Sequence, residues 1–231
     1  MNILHISDLH FGPRHWEGND KALLDKINSY PADIVINTGD STSDGLENEF
    51  EGAGNFFLDR EITKINENFT DLNFIKTLSV DGESVLIINI DSNELYEDNG
   101  FIEKELLRSV SRQISQTCYD KTLLLTHHSI LGTSGAPLKN SFGLLDFVRD
   151  HNIEHVYCGH THELGLGKFT DLYHGHTFTQ YMCGTLSSCN HKNDDNMFLF
   201  YENWGTDQMH VHLVRIFPEG NRLQFKEETI S

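Results

Sequence analysis

Five short apolar runs, each closing on a polar cluster, constrain this chain more than any other feature. "NILHIS" runs into Asp8-Leu9-His10, "ADIVINT" into Gly39-Asp40, and "ESVLIIN" into "IDSN". "KTLLLT" ends on His127-His128, and "IEHVYC" on Gly159-His160-Thr161-His162. Short apolar runs bounded by turn residues read as buried strands. Between them lie apolar residues at helical spacing: Ile102, Leu106, Val110 and Ile114, then Leu144, Leu145, Phe147 and Val148. Strand–helix alternation predicts an α/β layered fold, in which functional groups gather at the carboxyl ends of strands. Every polar cluster named above sits at such an end. The tail differs, because "NMFLFYENW" and "MHVHLVRIF" are β-rich and turn at "PEGN". They predict a hairpin or meander closing a second sheet. The expected architecture is α/β, with two packed mixed β-sheets flanked by helices in a single domain spanning 1–231.

Composition narrows the function classes. The 231 residues carry a formal charge of −18, from 17 basic against 35 acidic residues. That balance opposes binding to nucleic-acid backbones, which depends on clustered Lys and Arg. It would also repel a phosphorylated ligand unless bound cations locally reversed the field. No apolar run is long enough to span a bilayer, and "MNILHISDLHFG" lacks the pattern of a signal peptide. A cytoplasmic location is therefore expected. Cys118, Cys158, Cys183 and Cys189 form no C-x-x-C pair, so buried reduced thiols are expected rather than a disulfide or zinc framework.

The strand-exit groups carry the chemistry. Carboxylates and imidazoles suit borderline divalent ions such as Mn, Fe, Zn or Co, and sulfur plays no part. Asp8 and His10 would share one side of an extended segment, since alternate residues of a strand share a face. The same would hold for His160 and His162 if their loop stays extended. A glycine before Asp40 or His160 permits a tight turn. His174 and His176 repeat part of the Gly-His-Thr pattern and read as loop residues near the site rather than ligands. Singly these groups are weak signals; Asp8-x-His10, Gly39-Asp40, His127-His128 and Gly159-His160-Thr161-His162 in order, each just after an apolar run, are a strong one.

That ordered set resembles the calcineurin-like metallophosphoesterase superfamily, with matching motifs from Asp8 to His162. "HISDLHFG" and "LLLTHHS" are closest in style to the bacterial branch of class III cyclic-nucleotide phosphodiesterases. Protein Ser/Thr phosphatases match less well, because Gly39-Asp40 is followed by "STSDG". The resemblance implies a four-layer αββα sandwich holding two divalent metal ions, Mn first, with Fe or Zn as alternatives. It implies that Asp8, His10 and His162 hold one ion, that His127 and His160 hold the other, and that Asp40 bridges them. His128 would support the site or face substrate. The implied reaction is hydrolysis of a phosphate ester, a small phosphodiester above all, by a metal-bridging hydroxide.

One element of the family pattern is missing. The family carries Gly-Asn-His after Gly-Asp, the asparagine as a ligand and the histidine assisting the leaving group. Gly54-Asn55 is a decoy for it. Asp44 and Glu47 form a capping box, and Leu46, Phe50, Ala53 and Phe57 follow as one apolar helical stripe. Asn55, nine residues beyond Leu46, falls about half a turn from that stripe and should face solvent. The following "DREITKINENFTDLNFIKTLSV" contains neither the tripeptide nor a histidine. Asn66, Asn68, Asn73 and Asn89 stay open as substitute ligands. The alternative function is a binding or scaffold protein with an impaired second site, as in the retromer subunit that resembles this superfamily. A nuclease is a third reading, and the negative charge counts against it.

Overall fold

A computed structural model describes residues 1–15, 20–58, 73–94, 97–131, 138–187, 196–219 and 222–230. Its contacts group the chain into two units. The first contains Met1–Asn68, His162–Leu164 and Cys183–Ser231, and the second Phe69–Thr161 and Gly165–Met182.

The first unit is built on β1 (Ile3–Ile6), β2 (Ile34–Asn37), β9 (Met197–Glu202), β10 (His210–Glu219) and β11 (Arg222–Thr229). They form one mixed sheet in the order β11-β10-β9-β1-β2. β1 pairs parallel with β2 and antiparallel with β9. The β-rich tail is thus a meander, as expected from its composition and turn, but it extends the sheet that already holds the first two motif strands. Helices α1 (Asp20–Asn28) and α2 (Glu47–Leu58) belong to the same unit. Leu4 and Ile6 of β1 pack with Leu23 and Ile27 of α1, Ala53 and Phe56 of α2, and Phe198 and Phe200 of β9. All four β1 residues are buried, which is why the strand reads as a continuous apolar run rather than an alternation.

The second unit holds β3 (Phe74–Val80), β4 (Glu83–Asn89), β5 (Lys121–Leu125), β6 (His155–Cys158), β7 (Gly165–Thr170) and β8 (Thr177–Met182). Their order is β3-β4-β5-β6-β8-β7, with β4, β5, β6 and β8 parallel and an antiparallel strand at each edge. Helices α3 (Lys104–Ile114) and α4 (Ser141–Asp150) supply its apolar layer. Leu107, Val110 and Ile114 pack with Leu144, Phe147 and Val148 over Leu86, Ile88 and Leu124. Ile102 is buried just ahead of α3, and Leu106 is only partly buried. The β3–β4 connection is a two-residue hairpin in which Asp81 and Gly82 have φ of 54° and 86°. Asp-Gly suits such a turn because both central residues need positive φ.

Three local expectations are corrected. Helix α2 buries Glu49, Ala53 and Phe56, whereas Leu46 and Phe50 are 54% and 58% exposed; the side chain of Phe57 lies outside the described residues. Its first turn is capped by Glu49, whose carboxylate accepts from the Asp44 and Leu46 amides at 2.8 and 3.2 Å, rather than by a box closed on Glu47. Turning the helix to bring this carboxylate inward carries Phe50 outward, since neighbours in sequence lie about 100° apart. Among the cysteines, Cys158 and Cys183 are buried and free, but Cys118 is exposed. Cys189 lies outside the described residues.

Candidate metal centre

The loop leaving β1 is held at nearly every backbone polar group. The Asp8 amide donates to Gly39 O at 3.0 Å and the His10 amide to Asp40 O at 2.9 Å, which ties this loop to the one leaving β2. Thr185 Oγ1 donates to Asp8 O at 2.6 Å, Ser187 Oγ to Leu9 O at 2.7 Å, and Ser43 Oγ to His10 O at 2.6 Å. Ser7 Oγ donates to Asp8 Oδ2. No sequence motif marks these hydroxyls. Serine and threonine are common, and Thr185 lies 177 residues from the group it holds. Only the antiparallel return of β9 beside β1 brings that segment back.

This clamp supports an unusual backbone. Asp8 and His10 have φ of 52° and 50°, Asp40 of 45°, and His160 and His162 of 72° and 56°. The left-handed region costs an L-residue about 1–2 kcal/mol, and such strain clusters at functional sites. The expectation of extended Asp-x-His and His-x-His segments is therefore corrected. These side chains are aimed by tight left-handed bends past the strand ends, not by the pleat.

Within the first unit, Asp8, His10 and His162 come together, with ligand atoms all within 4.8 Å of one another. His10 Nε2 and His162 Nε2 are 3.0 Å apart, and Asp8 Oδ1 lies 3.3 Å from His162 Nε2 and 3.9 Å from His10 Nε2. Two nitrogens bound to one ion at about 2.0–2.1 Å stand roughly 3 Å apart, so this spacing fits a shared cation. Burial holds the His10 pKa below its ordinary value, against the opposing pull of the Asp8 and Asp40 carboxylates. The imidazole is thus neutral, with a lone pair to offer. Asp8 is fully buried and His10 is nearly so. A carboxylate and two imidazoles are a donor set for a borderline divalent ion, and the residues fit one.

In the second unit, His127 and His160 approach in the same way, His127 Nε2 to His160 Nδ1 at 3.2 Å. The Gly159 amide donates to His127 O at 3.0 Å and links the two loops. His128 is buried and engaged at both ring nitrogens, Nδ1 with Ser92 Oγ at 2.8 Å and Nε2 with Asp98 O at 3.0 Å. Its ring also lies 4.2 Å from that of His160, centroid to centroid. Gln180 Oε1 accepts from the Ile130 amide at 2.9 Å and steadies the chain beyond the histidine pair.

His174 and His176 do not lie beside these groups. They occupy the β7–β8 turn, which precedes the strand running parallel to β6, and so sit at the end of the sheet opposite His160. His176 Nε2 donates to Ile153 O at 3.0 Å, and His174 pairs with Asp171 at 2.6 Å. Asn55 is exposed on α2, as its helical phase implies. Of the proposed substitute ligands, Asn73 accepts the Asp91 amide at 2.9 Å and Asn89 closes β4. Asn66 and Asn68 lie outside the described residues.

Comparison with known proteins gives three results. The profile of the calcineurin-like phosphoesterase superfamily domain matches residues 1–176. A probable cyclic nucleotide phosphodiesterase from Vesicomyosocius okutanii subsp. Calyptogena okutanii is 23% identical over 185 residues, 70% of this chain and 78% of that protein. Among solved structures, Plasmodium GAP50, the anchor in the inner membrane complex, superposes with a TM-score of 0.58 at 11% identity, covering 100% of this chain and 89% of its own.

Proposed function

The chain belongs to the calcineurin-like phosphoesterase superfamily, and from that premise we propose that it hydrolyses a small phosphodiester with two divalent cations, manganese by preference. Asp8, His10 and His162 would hold one cation, His127 and His160 the other, and Asp40 both. The observation that carries this reading is the convergence of Asp8 Oδ1, His10 Nε2 and His162 Nε2 within 4.8 Å. A neutral, buried His10 and a clamped Asp8 support it, because a ligand set that is already ordered loses little entropy on binding. The similarity to a probable cyclic nucleotide phosphodiesterase supports a diester over a monoester. When bound, a pair of divalent cations would acidify a water and neutralise charge on the phosphoryl oxygens.

The chain's own residues would set ligand geometry and exclude water from Asp8. The sequence carries no Gly-Asn-His, so a histidine acid for the leaving group is not supplied by that motif. Such assistance is worth ~10²–10⁴ in rate, and substrates with good leaving groups should be favoured. Bis(p-nitrophenyl) phosphate is the first substrate to try, with Mn²⁺-loaded protein. Turnover that falls by about 10²-fold or more in Asp40→Ala is expected. Equal slow hydrolysis by both proteins would sink the proposal. The missing tripeptide also motivates a second reading, a binding protein on the same fold, and metal uptake without turnover of any diester would favour it.

A further inference from the structure

A line of buried polar side chains crosses three adjacent strands of the first unit and ends on Asp8. Tyr201 of β9, His5 of β1, Thr38 beyond β2 and Ser7 beyond β1 follow one another at hydrogen-bond distance: Tyr201 OH to His5 Nδ1 3.4 Å, His5 Nε2 to Thr38 Oγ1 3.0 Å, and Thr38 Oγ1 to Ser7 Oγ 2.8 Å. Ser7 Oγ then meets Asp8 Oδ2. Tyr201, His5, Ser7 and Asp8 are 0% exposed and Thr38 is 4% exposed. So deep a polar series in an apolar core is costly unless every member is satisfied.

The direction of each bond follows from the one after it. Ser7 gives its one hydroxyl proton to Asp8 Oδ2. Ser7 Oγ must then accept from Thr38, which uses the only proton of that hydroxyl. Thr38 Oγ1 must in turn accept from His5, so the imidazole carries its proton on Nε2. A neutral imidazole has one N–H, which leaves Nδ1 to accept from the Tyr201 hydroxyl. Burial drives the His5 pKa down to about 3, against the pull of Asp8, so the ring is neutral at neutral pH. The other Asp8 oxygen, Oδ1, is the one nearest His10 and His162.

We infer that Tyr201, His5, Thr38 and Ser7 form a one-way chain of hydrogen-bond donors that occupies Asp8 Oδ2 and so presents Oδ1 alone to a cation. They are positioning residues, and the inference rests on the proposed role of Asp8 as a metal ligand. Tyr201 lies outside the 1–176 stretch that matches the family profile, so the meander supplies the far end of the chain. The physical gain is a fixed carboxylate rotamer and a single binding mode. Donors aligned in one direction also polarise one another and strengthen the last bond.

The test uses the whole protein stripped of metal with EDTA. Imidazole ¹⁵N NMR of the wild type should show His5 protonated at Nε2 and bare at Nδ1. Thr38→Val keeps the shape but removes both the donor to Ser7 and the acceptor for His5. It should weaken Mn²⁺ binding, measured by calorimetry, by about 10–100-fold, the usual cost of losing support behind a metal ligand. Thr38→Ser should restore it, and Ser7→Ala should reproduce the loss if Thr38→Val fails to fold. A His5 protonated at Nδ1, or an unchanged Mn²⁺ affinity in folded Thr38→Val and Ser7→Ala, overturns the inference alone. A wild type that takes up no Mn²⁺ overturns the proposed function beneath it.

Discussion

At the scale of single residues, the candidate centre is a strained backbone held by hydroxyls and by one glycine. Gly12 closes the loop after β1 with φ of +123°, a conformation that L side chains rarely adopt. A Cβ built there would stand 2.1 Å from Glu49 Oε1 and 2.7 Å from its Cδ. Glu49 cannot swing away cheaply, because it is buried and caps α2 through two amides. Gly12→Ala should therefore lower unfolding free energy by about 2–3 kcal/mol, combining backbone strain with a displaced buried carboxylate. Equilibrium urea denaturation measures this directly. A loss below about 0.5 kcal/mol, the scale of a neutral surface change, would contradict this packing.

At the scale of elements, α2 shows where a sequence pattern and a fold part company. Leu46, Phe50, Ala53 and Phe57 fit helical spacing, yet Glu49, Ala53 and Phe56 face inward. Periodicity favours the first phase, which is apolar throughout, whereas the second buries a glutamate, so packing overrides the pattern here. The choice falls to Phe11, which packs against Phe56 at 5.5 Å between centroids and meets Gly52. Phe56→Ala should cost about 3–5 kcal/mol, as for a large buried aromatic, while Phe50→Ser should stay within about 0.5 kcal/mol. Paired denaturation curves check the register, and a reversed order of the two effects would restore the sequence-based stripe. The hairpin between β3 and β4 is the opposite case. Asp81-Gly82 announces it locally, because both residues take the positive φ that a two-residue hairpin needs.

At the scale of the whole molecule, buried neutral histidines make stability depend on acid. His5 is lowered to about 3 and His155 to about 4, burial being the larger cause in both, with Lys121 adding to it for His155. Unfolded histidines take up a proton near the ordinary value of 6.5. Between the two values the unfolded chain binds more protons, so the stabilisation is complete above about pH 6.5 and is lost as pH falls. By pH 5 each such imidazole should withdraw about 2 kcal/mol. Melting temperature in EDTA buffers should therefore drop steadily from pH 7 to pH 5, and a flat profile would mean these rings are not held neutral.

Much of this protein was written in the order of its residues. Each apolar run became a strand and each polar exit a loop, because burial on both faces demands continuous apolar sequence and the chain must turn where that sequence stops. Asp8, His10, Asp40, His127, His160 and His162 stand out at those exits for that reason, whereas Asn55 faces solvent although the stripe that places it there is itself exposed at Leu46 and Phe50. Tertiary structure alone decided which strands share a sheet: β1 and β2 join the C-terminal meander, while β4, β5 and β6 form another sheet. It also decided the left-handed bends that aim the Asp and His side chains, and the chain from Tyr201 to Asp8. Strand pairing joins Ile3 to Tyr201 and a hydroxyl contact joins His5 to the same residue, and no local pattern encodes a partner so distant. Composition and periodicity select elements; only closure of the chain on itself selects neighbours.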